Sequence, residues 1–313
     1  MSTDNDKMAL DNYNRQGVVK NIGQFQRHST FWYSDGSIVH DKTIYNVHIT
    51  MVQKLSEIFN SLITIPDGKE KNDPTREGTE AYPLFLPGTT VSEFDDLLQW
   101  IYRAEWQALG NDDIERERIC THLMKLAHKW EIPVATDYAV KVLDGIPLPP
   151  SRRIQLGGRF SINKWINSGV ADIFTSRVTQ LQEVDVQAMG WPVYMILVKA
   201  QEKIDDEARR TAFVPPAMSN DPSWQCSNHS ACLRTWPKIW FDKIGRQILH
   251  PDRPLMLRHI LPTVLGDPSI LKHANLHERC REDMVTVICK TRFADETIVP
   301  LCATKVVEYF EKM

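Results

Sequence analysis

The sequence has no apolar run near the roughly 20 residues that a membrane-spanning helix requires. A secretory leader is not expected either: Met1-Ser2-Thr3-Asp4-Asn5-Asp6 is acidic and polar where a leader would be basic and then apolar. These two absences predict a protein that stays inside the cell, in cytoplasm or nucleus, and makes no membrane contact. Neither sign of charge dominates. The formal net charge is −3 and no basic stripe stands out, so direct nucleic-acid binding is not expected. Cysteine is limited to six residues in 313, and without a leader these read as reduced thiols or metal ligands, not a disulfide framework. Catalytic signatures are missing too: no G-x-S-x-G, P-loop, H-E-x-x-H or dinucleotide fingerprint occurs. Leu156-Gly157-Gly158 is a lone diglycine without a preceding strand and reads as a helix interruption. The pairs Asp95-Asp96, Asp112-Asp113 and Asp205-Asp206 are adjacent, so their carboxylates do not face each other on a helix and read as solvated faces. His277-Glu278-Arg279-Cys280 fits no catalytic spacing. The chain is not expected to be an enzyme.

What is present organises around residues 31–63. Phe31-Trp32-Tyr33 and Ser37-Ile38-Val39-His40 are β-prone runs with Ser34-Asp35-Gly36 as turn chemistry between them, which predicts a hairpin. Asp41-Lys42 is a second short turn, and Thr43–Val47 supplies another strand. The period then changes: Ile49, Val52, Leu55, Ile58 and Leu62 fall three or four apart, on one side of a helix of about four turns. Strands feeding a helix within one short segment predict an α+β fold.

Those residues resemble the opening of a BTB/POZ domain. That family shows an aspartate before its first core strand, a tight turn, an aromatic strand and a histidine before its first helix. Asp35, Tyr45 and His48 stand at those positions. Here His48 is expected to be a packed, hydrogen-bonded imidazole at a strand-to-helix junction. Farther on, Phe94-Asp95-Asp96-Leu97-Leu98-Gln99-Trp100-Ile101-Tyr102 is similar to the family's "F…LL..IY" helix, and Leu123–Trp130 to its "L..LA..y" helix. Over nearly its whole length the chain resembles the BTB proteins of mushroom-forming fungi. The resemblance implies a small mixed sheet flanked by helices, followed by a mostly helical C-terminal half. It also implies a protein-interaction scaffold that forms homodimers through Ile49, Val52, Leu55 and Phe59 of the first helix. Adaptor relatives dock onto a cullin of a ubiquitin ligase through the helix carrying Phe94 and Tyr102 and the segment before it. Val91-Ser92-Glu93 matches the apolar-x-Glu signature in residue type, one position late, making Glu93 the expected contact. The alternative is a transcription- or chromatin-associated regulator acting through partner proteins, since the chain has no C2H2 finger repeats. The client protein is left open.

Residues 1–27 are polar and predict a mobile tail; 28–146 form the BTB-like domain. Within that domain, Pro66 to Gly78 reads as an exposed loop and Tyr82–Gly88 as a short edge strand with prolines at its ends. A helix capped by Thr90 or Ser92 follows, then one with Ile119, Leu123, Leu126 and Trp130, then one starting near Pro133 with Val134, Tyr138 and Val142. His122 and His128 fall on or near these helices and read as structural residues. Gly145-Ile146-Pro147-Leu148-Pro149-Pro150 marks a boundary. Residues 147–213 predict a helical extension, and Phe213-Val214-Pro215-Pro216-Ala217 a second break before a helical region, 214–313, with Trp224, Trp236, Trp240 and Phe293. This last region holds Cys226-x-x-His229-x-x-Cys232. Thiolate and imidazole are the ligands zinc prefers, and three within seven residues can converge on one ion. A fourth must come from elsewhere, Cys280 first, with His250, His277 or Cys289 behind it. The other reading takes the two cysteines as small buried groups and His229 as a helix residue with a local hydrogen bond, and no cofactor at all.

Overall fold

Ser37–His40 (β2) and Thr43–Asn46 (β3) form an antiparallel pair running from Ser37↔Asn46 to His40↔Thr43, which turns Ile38, Ile44 and Tyr45 into the core. The structure is a computed structural model and describes residues 25–313, apart from 34–35, 41–42, 65–77, 79–82, 87, 105–106, 108, 219–225, 251–256 and 292–293. Residues 1–24 of the predicted tail, Asp35, the Asp41-Lys42 turn, nearly all of the loop after Pro66, Trp224 and Phe293 lie outside the described residues, whereas Gln26 and Arg27, which the sequence places in the tail, belong to a strand that pairs with Thr43 and Ile44.

Gln26–Trp32 (β1) departs from expectation. It pairs parallel with β3, through Gln26↔Thr43 and Arg27↔Ile44, and does not form a hairpin with β2. The reason is hydrogen-bonding capacity: the far edge of β2 is taken by Leu84–Phe85 (β4), through Ile38↔Leu84, so the open edge is on β3. The sheet order is β1-β3-β2-β4, and β4 holds the edge position that its flanking prolines predict.

The single four-turn helix is two helices, Ile49–Leu55 (α1) and Glu57–Thr64 (α2), broken at Ser56. Ser56 is buried and extended. Its hydroxyl donates to the Trp130 carbonyl at 2.5 Å and accepts from the Phe59 N–H at 3.1 Å, so it caps α2 and leaves the helical path to do so. Val91–Tyr102 (α3) starts on a capping box. Of the two expected caps Thr90 is used, its side chain accepting from Glu93 N while the Glu93 carboxylate accepts from Thr90 N. Asp112 caps Asp113–Lys129 (α4), and Pro133 opens Pro133–Asp144 (α5). On α5 the buried stripe is Ala135, Ala139 and Leu143, one residue out of phase with the predicted one. Val134 is exposed, and Tyr138 turns outward to Arg103, whose guanidinium lies 4.2 Å above its ring. Small alanines let α5 approach closely where Tyr138 would not fit. The core of this part is Phe59, Phe94, Leu97, Leu98, Ile119, Leu123 and Leu126, all without solvent exposure.

The chain divides into two compact units at Pro147/Leu148. The second unit begins with Pro150–Arg159 (α6) against Asn163–Ser176 (α7). The diglycine does not interrupt α6. A Cβ on Gly157 would lie 2.8 Å from Ile166, and one on Gly158 would enter the Phe310 ring, so both glycines permit close helix contact. Glu183–Met189 (α8) and Trp191–Phe213 (α9) follow. Ala294–Glu311 (α14) returns to complete the same core, in which Ile154, Val170, Phe174, Leu197, Cys302 and Val306 meet. The break after Phe213 therefore does not separate two self-contained regions as the boundary 213/214 predicts, because the final helix belongs to the extension. Between them, His229–Trp240 (α10), a π segment at Phe241–Gly245, Arg246–Ile248 (α11), Leu257–Gly266 (α12) and Glu278–Lys290 (α13) surround a second core around Trp236, Trp240, Met284 and Ile288. A mostly helical chain with one small sheet is an α+β architecture, as the sequence implies. No helix among the described residues is long and apolar enough to cross a membrane.

Candidate metal centre and interaction face

Cys226 lies just before α10, His229 is its first residue and Cys232 follows one turn later. The Asn228 side chain caps this helix by accepting from Ala231 N at 3.2 Å. Cys280 is the third residue of α13, whose cap is His277: its Nδ1 accepts from Arg279 N at 3.3 Å. The two helix starts therefore bring three sulfurs to one place, with the His229 imidazole at its edge. Cys226 and Cys232 sulfurs stand 3.7 Å apart, and all three sulfurs lie within 4.8 Å of one another. His229 Nδ1 joins the group through Cys280, 3.4 Å from its sulfur. Zinc–sulfur bonds of about 2.3 Å in a tetrahedron give edges of about 3.8 Å, so the spacing suits a metal and is far too long for a disulfide.

Backbone N–H groups face the sulfurs. His277 N donates to Cys232 at 3.3 Å, and Asn228 N donates to Cys226. Burial, then the neighbouring Cys226 and Cys232, push the Cys280 thiol up to about 12. Burial also opposes ionisation of Cys226, but the Asn228 N–H and hydrogen bonds from Cys280 and Cys232 outweigh it and lower its pKa. Three cysteine sulfurs within 4.8 Å of one another form a group able to hold a metal ion. Of the reserve ligands, Cys289, His250 and His277 are all exposed, and His277 serves as a cap. Cys280 is the one that arrives.

In the first unit, the residues that carry the family resemblance meet. The Tyr45 hydroxyl donates to Asp95 at 2.7 Å and its ring meets the edge of Phe94 at 4.9 Å. His48 N donates to the Tyr102 hydroxyl at 2.8 Å, and His48 Nδ1 lies 3.2 Å from the same oxygen. His48 is thus a packed junction residue. No protein-family model, curated protein or solved structure matches this chain.

The other predicted contact residues divide by burial. Ile49 and Leu55 are half-buried and Met51, unremarked in the sequence, is 40% exposed, whereas Val52 and Phe59 are interior to the fold, Phe59 against the Trp130 ring at 4.6 Å. Val52 and Phe59 are therefore core residues, not contacts. Glu93 and Phe94 are interior as well. Glu93 pairs with Lys125 and belongs to the capping box, so neither residue presents itself to a cullin. Tyr102 is occupied by His48.

Sequence reasoning missed the polar seam joining α3 to α4. Asp96, 5% exposed, accepts from Arg118 at 2.5 Å and from His122 Nδ1 at 2.6 Å; Asp95 bonds Tyr45 and stands 3.2 Å from His28 Nε2. Asp95-Asp96 is thus no solvated face. A signal existed: Glu93 and Asp96 share one face of α3, and Arg118, His122 and Lys125 share one face of α4. Burial raises the Glu93 pKa, but the Lys125 ammonium and the Thr90 N–H outweigh it and hold the carboxyl below its usual range. A lowered folded-state pKa contributes stability above the unfolded-state pKa near 4.5, and that stability is lost as pH falls through the folded value. Glu93→Gln keeps the capping amide and removes the charge. Chemical denaturation at a series of pH values should therefore find wild type more stable near pH 7, with the gap closing below about pH 4.5. A gap that stays constant with pH contradicts the pairing.

Proposed function

We propose that this protein is an interaction scaffold of BTB/POZ type that self-associates through its first unit and presents its helical second unit to a client protein. The observation that carries the reading is the meeting of Tyr45 and His48, from the strand-to-helix segment, with Phe94, Asp95 and Tyr102 of α3. Two stretches that resemble the family separately are some fifty residues apart and make one set of contacts. The antiparallel β2–β3 pair running into two short helices, with β4 parallel to β2, agrees with a small mixed sheet wrapped by helices. The partly uncovered side of α1, with Met51 40% exposed and Leu55 half-buried one turn on, is the surface offered to a second copy in an isologous contact. The adaptor version, docking to a cullin through Glu93 and Phe94, is the weaker part because both side chains are internal. The reading is of a binding protein: Glu93, Asp95 and Asp96 are spent on ion pairs and hydrogen bonds that hold α3 in place. In the second unit the cysteine cluster is a structural device, and zinc is the ion its donor set suits.

Light scattering of the full chain tests self-association. A dimer is expected at micromolar concentration, and Met51→Asp should shift it to monomer with the circular dichroism unchanged. A wild-type chain that stays monomeric at about 100 μM overturns the proposal.

A further inference from the structure

We propose that a single zinc ion is bound by the thiolates of Cys226, Cys232 and Cys280 and by Nδ1 of His229, and that it staples the start of α10 to the start of α13. This rests on reading the cysteine cluster as a zinc site and adds the fourth ligand and the mechanical role. His229 and Cys280 are 51 residues apart in the chain, so one ion closes a long loop and constrains the unfolded ensemble as a cross-link would.

Three details support a site over a chance meeting of thiols. Two of the edges, 3.7 Å between the sulfurs of Cys226 and Cys232 and 3.4 Å from Cys280 to His229 Nδ1, are close to the about 3.8 Å and 3.6 Å of a tetrahedron with three Zn–S bonds and one Zn–N bond; the three sulfurs lie within 4.8 Å of one another, and His229 touches that group at Cys280, so its ring turns inward as the ion binds. The charge is also accommodated. Three thiol protons leave to solvent as the bonds form, the imidazole stays neutral with its proton on Nε2, and one excess negative charge remains. Two helices of 12 and 13 residues begin at that charge, with their positive ends and the N–H groups of Asn228 and His277 directed to it. Finally, the site is integral to packing: Cys232 and Cys280 are buried in the same core as Trp236, Met284 and Ile288, so a bound ion would fix the relative position of α10 and α13.

The test uses the full chain purified without chelators. Elemental analysis should find about one zinc per chain; less than about 0.1, or a mass two hydrogens low in unreduced protein from a Cys226–Cys232 disulfide, overturns the zinc reading itself. X-ray absorption at the zinc edge should show three sulfurs and one nitrogen. Four sulfurs, or three with an oxygen, would refute His229 as ligand while leaving zinc in place. His229→Gln should weaken zinc binding about tenfold or more in competition with a chromophoric chelator, because even second-shell losses reach that size. His229→Cys should hold zinc in a four-cysteine shell, which separates ligand loss from misfolding; equal affinity of the Gln variant and wild type counts against the assignment. Removing the metal should speed amide exchange in the first turns of α10 and α13, and unchanged exchange there removes the staple.

Discussion

Phe94→Ala is expected to lower the unfolding free energy by about 3–5 kcal/mol, measured by urea denaturation of the full chain. Phe94 has no solvent exposure and lies edge-on to both Tyr45 at 4.9 Å and Trp130 at 6.3 Å, so its ring links the sheet, α3 and the end of α4. Truncation removes the transfer energy of the ring and leaves a cavity that these large neighbours cannot easily fill. Amide exchange should locate the loss in β3, α3 and α4. Phe94→Leu should recover more than half of it. A loss below about 1 kcal/mol would mean that the three elements are not joined at this ring.

Trp240→Ala should have a comparable effect in the second unit, again about 3–5 kcal/mol, with exchange protection lost in α9, α10 and the π segment after it. Trp240 is fully buried. Its indole N–H donates to the Thr211 carbonyl at 2.7 Å, near the end of α9, and its ring meets Trp236 at 5.7 Å. Alanine therefore opens a large void and leaves a carbonyl near a helix end without that donor. Trp240→Phe separates the two contributions, since it keeps most of the volume and loses only the hydrogen bond, for about 1–2 kcal/mol. Equal losses for the alanine and phenylalanine variants would contradict a packing role.

How much could be read beforehand depended on whether the deciding contact was local. The helices starting at Val91 and Pro133 were legible because their signals lie within a few residues: a Thr90 cap and a proline at the first position. The division near Pro147 carries a proline cluster of its own. The failures were settled elsewhere in the chain. Ser56 breaks a periodic apolar stripe because a carbonyl 74 residues away, at Trp130, needs its hydroxyl. β1 avoids β2 because β4, from a distant segment, has already taken that edge. Val52, Phe59, Glu93 and Phe94 match a contact motif by type, yet type does not reveal which side of a helix the remainder of the fold will cover. At the cluster, the seven-residue Cys-His-Cys spacing was visible, but only the fold shows that Cys280 comes to it and the other reserve ligands do not.

The position of α14 in the chain has a consequence for how the protein is made. Helices α6, α7 and α9 leave the ribosome long before Ala294–Glu311, yet Val299, Cys302 and Val306 of that late segment are the side chains that cover their apolar faces. The middle of the nascent polypeptide must therefore wait, incompletely shielded, until Ala294–Glu311 has been made. A premature stop that removed even these eighteen residues would strip an interior and not a tail, and quality control would meet a sticky, half-built product.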